Sequence, residues 1–367
     1  VYKPSIAHSI LGIVAALFIR KVLVAVVVMN YVRQHVDDVD LPAIRSSPSF
    51  TQTMEWMRGN SRAGRDNFVL MLNRHALNMT ANWLCMTKHL KDVHSSALFV
   101  TMDSASSETL QALYPDIHIL PLDIPSLQDP FNYGDGPYQL FYLLRANLAR
   151  TFLQENATFW MAQQDTYWRD SLSALNLSPF AQSDVVFDRA SAANVTFIAG
   201  GYYRARPTPG AKAFFDELAN DLSWWYAPDN AYMSSLCRRR TATVTCGYLP
   251  FESIPNWKWL YDHPSSDDLP PLLQFDGETK LGGKLHKMKS LGFYFLNEDG
   301  TKCRGDTDSS PPLPSRPPSS RHFSLSLAHA QFCVYQFLVD VLYSSSLTSA
   351  LLDYIILPSA HFFMITM

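Results

Sequence analysis

Hydrophobic positions fall into distinct regimes along the chain. The first 32 residues carry two apolar runs, 9–19 and 22–32, separated by Arg20 and Lys21. Neither run alone reaches the roughly 20 apolar residues that a bilayer span takes. Residues 1–33 therefore predict a signal anchor whose two cations snorkel, or a cleaved signal sequence, with a helix buried in the folded domain as the competing reading. Residues 34–66 turn polar, with Asp37-Asp38-Val39-Asp40-Leu41-Pro42 and scattered serines, and predict a stem or linker.

From Asn67 the pattern becomes regular. Short apolar runs at 68–72, 97–102, 118–122 and 158–162 predict strands, and amphipathic stretches at 78–89, 107–113 and 138–155 predict the helices between them. Such βαβ alternation gives an α/β fold with a Rossmann-type, mainly parallel sheet, and ligands bind such sheets beyond the carboxyl ends of the strands. The end of the 158–162 strand is the place to look. Further on the pattern becomes mixed α+β, with strands at 184–187, 195–203 and 244–250 and helices at 210–225 and 230–237. The folded domain is expected over 67–303. Residues 304–367 form a Ser/Pro-rich linker and an apolar tail that reads as an appendage to a finished domain.

With 47% hydrophobic residues and a net charge of only −3, the chain has material for a large core but no broad basic field, which argues against nucleic acid as a partner. Asn-x-Ser/Thr tripeptides at Asn78, Asn156, Asn176 and Asn194 lean towards a lumenal compartment. Cys237 and Cys246 bracket a short Thr-rich segment suited to a disulfide-stapled hairpin.

Candidate chemistry collects behind the 158–162 strand. Trp160-Met161-Ala162-Gln163-Gln164-Asp165-Thr166-Tyr167-Trp168-Arg169-Asp170 places a carboxylate, Asp165, just past a buried strand, where a hard cation such as Mn or Mg could bridge it to a diphosphate. Gly200 and Gly201 could let a sugar approach the backbone, or could mark a bulge. Asp229 opens a helix, as an N-cap or as a group near the reacting sugar. Gly282-Gly283-Lys284-Leu285-His286-Lys287-Met288-Lys289 is a Gly-opened basic stretch that could grip a diphosphate, or a solvated helix face. Neither a Gly-x-Ser-x-Gly elbow nor a zinc spacing occurs in the sequence.

The 160–170 segment resembles the Asp-x-Asp-x-x-Trp-x-x-Asp motif of the nucleotide-diphospho-sugar transferase family, which includes plant xylosyl- and arabinosyltransferases. Asp165 stands at the second Asp, Trp168 at the Trp, and Gln163 replaces the first Asp. Asn82-Trp83-Leu84-Cys85, residues 97–103, 138–145 and 198–208, and Asp229-Asn230-Ala231-Tyr232-Met233 match in the same order, covering roughly 67–303. The resemblance implies a GT-A-like fold with a parallel donor half and a mixed acceptor half. It implies a nucleotide-sugar donor held by Gln163, Asp165, Arg145, Gly283, Lys284 and His286, and Mn or Mg on Asp165 and His286. Gly200, Gly201 and Asn230 would face the sugar or acceptor, a glycan or protein, with Asp229 catalytic. A type II Golgi membrane enzyme is the expectation; a catalytically inactive binding or scaffold protein of the same fold is the alternative, motivated by Gln163.

Overall fold

The computed structural model describes residues 6–192, 197–239, 243–263, 269–276 and 282–304. The predicted tail beyond residue 304 and the tripeptide at Asn194 lie outside the described residues.

Helices α1 (Ile6–His35), α2 (Leu41–Arg45) and α3 (Phe50–Arg62) precede the first strand. Then follow β1 (Phe68–Leu72), α4 (Leu77–Thr87), α5 (Val93–Ser96), β2 (Ala97–Thr101), α6 (Ser104–Leu113), β3 (His118–Pro121), α7 (Gly136–Gln154) and β4 (Phe159–Met161). The second half comprises β5 (Thr166–Trp168), β6 (Val185–Arg189), β7 (Ile198–Ala205), α8 (Pro209–Trp224), α9 (Asp229–Arg238), β8 (Cys246–Tyr248), α10 (Trp259–Asp262), β9 (Leu272–Gln274) and α11 (Gly283–Ser290).

Seven strands form one sheet in the order β3-β2-β1-β4-β7-β6-β8. All pairings are parallel except those made by β7, which runs against both β4 and β6. The fold is thus mixed α/β with a mainly parallel sheet, as the strand and helix rhythm predicts. Alternation within each strand feeds two cores: Val69, Met71, Leu98 and Val100 pack on the face covered by α1, α3, α7, α8 and α9, and Phe68, Leu70, Leu72 and Phe99 pack on the face covered by α4 and α11. Burial on both faces is why these strands read as unbroken apolar runs.

The segment 34–66 corrects the stem expectation. Ile44, Phe50, Met54 and Met57 are buried in the first of these cores, and Asn60 donates to Asn67, whose own amide donates to the Thr158 carbonyl. Positions 50, 54 and 57 recur at helical spacing on one face. The surrounding Asp and Ser residues masked that stripe. The last turns of α1 are built in as well, with Val28, Met29 and Val32 buried and the Tyr31 hydroxyl donating to the Ser126 carbonyl at 2.7 Å. Further up α1, Ile19, Leu23, Val26 and Val27 are exposed. Among the described residues no helix is long and apolar enough to cross a membrane.

Cys237 and Cys246 form a disulfide, and a second joins Cys85 to Cys303. The latter pairs residues 218 positions apart and ties the end of the described chain to α4. No local spacing could have revealed it.

Candidate active site

A cleft of about 410 Å³ opens at the carboxyl ends of β1 and β4. The chain leaves β1 towards β2 and β3, then returns to place β4 on the other side of β1. That reversal is the topological switch point, where loops following the two central strands diverge and leave a crevice.

One rim is set by the residues after β4. Gln164 donates through Nε2 to the Met71 carbonyl at 2.9 Å, and the Gln163 carbonyl accepts from the Tyr202 hydroxyl at 2.8 Å. Trp168 is fully buried, edge-on to Trp83 and Phe68, and its indole N–H donates to the same hydroxyl at 3.0 Å. The tryptophan of the motif thus positions the loop through Tyr202.

β5 pairs antiparallel with β9, with Thr166 opposite Gln274, and the Phe275 N–H donates to the Asp165 carbonyl. This small ribbon brings Asp165 and Asp276 to one rim of the cleft. The Lys284 Nζ at the start of α11 donates to Asp165 at 2.5 Å. Burial alone would lower the lysine pKa, but the charge of Asp165 outweighs it and holds Lys284 above its ordinary value. Burial pushes Asp276 up to about 6, opposed by Lys284 and reinforced by Asp165 and Asp188.

The opposite wall comes from α7, β7 and α9. Arg145 and Asp229 form an ion pair in which both side chains are 5% exposed, and Arg145 also donates to the Gly200 carbonyl at 2.8 Å. Burial opposes charge on Arg145, but Asp229 more than compensates and keeps the guanidinium protonated. Gly200 has φ +86°, where side chains are strained, and a Cβ there would meet Asn230 at 2.6 Å. A Cβ on Gly201 would lie 2.9 Å from the Gln163 amide oxygen. Both glycines line the cleft, yet packing of the protein itself already requires them. Behind them Asp188 is fully buried and accepts from the Gly200 and Tyr202 N–H groups, each at 2.9 Å, and from Gln274 at 2.7 Å. Burial lifts its pKa to about 6 against those three hydrogen bonds. Phe131, Tyr138, Phe141 and Tyr142 add an aromatic wall, with Tyr138 and Tyr142 edge-to-face at 4.9 Å.

A family model described as nucleotide-diphospho-sugar transferase matches residues 92–288, more than half of the chain. The chain belongs to the nucleotide-diphospho-sugar transferase family. Among solved structures, this transferase is similar to mouse xyloside xylosyltransferase 1 at 12% identity and a TM-score of 0.41, over 59% of this chain and 99% of that one. It is also similar to the bifunctional glycosyltransferase WbbM, at 10% identity and a TM-score of 0.41, over 59% of this chain and 46% of the other. The galactosyltransferase LgtC, solved with donor and acceptor sugar analogs, matches at 11% identity and a TM-score of 0.38, over 64% of this chain and 100% of that one. No curated protein matches the sequence.

Of the residues singled out from the transferase's sequence, Gln163, Asp165, Arg145, Gly200, Gly201, Asp229, Asn230 and Lys284 all line this one cleft. Gly283 and His286 do not. His286 is exposed, two residues beyond Lys284 on α11, and successive helical residues turn by about 100°, so it faces away when Lys284 faces in. The expected metal pairing of Asp165 with His286 is therefore corrected. Asp229 is the first residue of α9, with Pro228 at the N-cap and no side-chain cap, so its carboxylate serves Arg145. Asp188, Gln274, Asp276 and the aromatic wall escaped sequence reasoning. Aromatic spacing at 138, 141 and 142, followed by Arg145, marked one face of α7 and could have revealed the wall; Asp188, an acid inside an apolar strand, was a second unused signal.

A hard divalent cation wants several anionic or carbonyl oxygens. Here Gln163 supplies a neutral amide at the first motif position, and Asp165 is already engaged by Lys284. Among the described residues no group of three or more His, Cys, Asp or Glu side chains is placed to hold a metal. The donor set does not fit Mn or Mg.

Proposed function

We propose that this transferase moves a glycosyl group from a nucleoside-diphosphate sugar to the hydroxyl of a glycan or protein acceptor. The observation that carries the reading is the cleft at the switch point, where an aromatic wall suited to stacking a base or sugar faces Lys284, Asp165 and Asp276. Asp276 is the carboxylate suited to take the acceptor proton, because a base works best with a pKa near the operating pH and burial lifts this one to about 6. Asp229, expected from the sequence to be catalytic, is committed to Arg145 and shapes the wall.

Turnover of a panel of UDP- and GDP-sugars by the full chain tests the reading. Asp276→Asn should reduce transfer by about a hundredfold or more while leaving the melting temperature nearly unchanged. Binding of nucleoside diphosphates with no transfer from any donor would instead favour a non-catalytic binding protein, the reading that Gln163 suggests.

We further place the enzyme in the secretory pathway as a type II Golgi membrane protein. Exposed Asn78 and Asn156, two disulfides and the exposed apolar residues of α1 support that placement. A mobility shift on glycosidase treatment of protein from a eukaryotic host tests it; unmodified, cytosolic protein would remove it.

A further inference from the structure

A departing nucleoside diphosphate needs positive charge beside it, and a carboxylate-held cation is only one source. Among the described residues Arg145 and Lys284 line this cleft as fixed cations, and they differ in what they can offer. Arg145 is 5% exposed, and its Nη2 donates both to Asp229 and to the Gly200 carbonyl, which holds it within the wall. Lys284 has 32% of its side chain exposed and is held at its tip by Asp165, whose side chain is only 9% exposed. The ammonium therefore covers the one motif carboxylate and presents its remaining donors to the cleft. Any metal approaching Asp165 would have to displace a cation already in place, and would find at Gln163 an amide in exchange for a charge. Gly282 and Leu285 line the same cleft, so the opening turn of α11, with its unsatisfied backbone N–H groups, lies at the same rim as the lysine.

We infer that Lys284 replaces the divalent cation in this transferase: its ammonium compensates the leaving diphosphate, and Asp165 is a positioning residue for the lysine. This rests on the transferase reading above. In the step, the bond between the anomeric carbon and the β-phosphate oxygen breaks with its electron pair on that oxygen. The acceptor oxygen bonds to the anomeric carbon, and its proton passes to Asp276. Lys284 forms no covalent bond; it hydrogen-bonds the diphosphate oxygens as their charge grows.

The test is calorimetric binding of UDP, GDP and ADP to the full chain, in EDTA and in excess Mn. For the nucleotide that binds, the dissociation constant should change by less than about twofold between the two conditions. Lys284→Ala should weaken it at least about tenfold in both, with Mn giving no rescue and Lys284→Arg retaining most of the affinity. Unchanged circular dichroism and melting of the Lys284→Ala variant separate lost binding from lost folding. Asp165→Asn should loosen nucleotide binding without creating or removing Mn dependence, and Asp165→Glu should restore it. Binding that appears only with Mn, or tightens about tenfold with it, overturns the inference and leaves the transferase reading standing. Absence of nucleotide binding in both conditions sinks both.

Discussion

Two ion pairs face each other across the cleft, and they are built for different purposes. Arg145–Asp229 is nearly buried in the wall: α7 supplies one partner, α9 the other, and the Gly200 carbonyl and the rings of Tyr142 and Tyr203 pack about the guanidinium. Lys284–Asp165 joins a β-ribbon to the first turn of an eight-residue helix and leaves the lysine about one-third exposed. A buried pair cannot lose one partner cheaply, because the other charge is stranded away from water. A half-open pair can exchange its partner for a ligand at little cost. The difference separates the wall that defines the cleft from the arm that can act in it.

The sharpest way to break the contrast is Arg145→Ala. It should destabilise the protein by about 3–5 kcal/mol in denaturant unfolding, since Asp229 would be left buried and charged. A loss below about 1 kcal/mol would mean that the two pairs are equivalent. Asp188→Asn comes next, at about 2–3 kcal/mol, because an amide cannot accept all three of the hydrogen bonds that converge on the carboxylate.

Asp188 also gives the contrast a pH signature. Its pKa rises from 3.8 to about 6 on folding, so the folded state binds more protons between those values. Its contribution is therefore greatest below about pH 4, falls as pH rises through about 6, and then levels off. Asp276 acts in the same direction. Unfolding measured from pH 4 to 8 should show this decline, and Asp188→Asn should flatten part of it. Trp168→Phe should cost about 1–2 kcal/mol by removing the hydrogen bond to Tyr202 and part of a fully buried ring. Lys284→Ala should cost less stability than Arg145→Ala, because the ammonium is about one-third exposed, while weakening nucleotide binding at least about tenfold; a fall in stability as large as that of Arg145→Ala would make it a structural pair like Arg145–Asp229.

The first half of the sheet could be read closely from the chain. Strands at 68–72, 97–102 and 118–122 appear within one residue of those bounds, because parallel strands buried on both faces leave apolar runs with sharp ends. β5 and β9 were not legible. Each is three residues long and becomes a strand by pairing with the other, a contact between segments about a hundred positions apart. α3 was missed for another reason: its stripe of Phe50, Met54 and Met57 is narrow and its remaining residues are polar.

The site shows the same division. Asp165 and Lys284 were both recognisable as candidates, one behind a strand and the other in a Gly-opened basic stretch. Their meeting, and the outward turn of His286, followed from the β5–β9 ribbon and the helical phase of α11. Asp229 could be marked as chemically interesting, but whether it would cap, catalyse or pair with Arg145 depended on what stood across from it. Local periodicity and residue type by themselves determined the α/β rhythm, the sheet class and the strand tip where chemistry would gather, since those follow from neighbours in the chain. Which carboxylate is neutralised, which is lifted towards neutral pH and which cation stays within reach of a ligand were decided by tertiary structure alone, because burial and opposing charge are properties of residues distant in sequence.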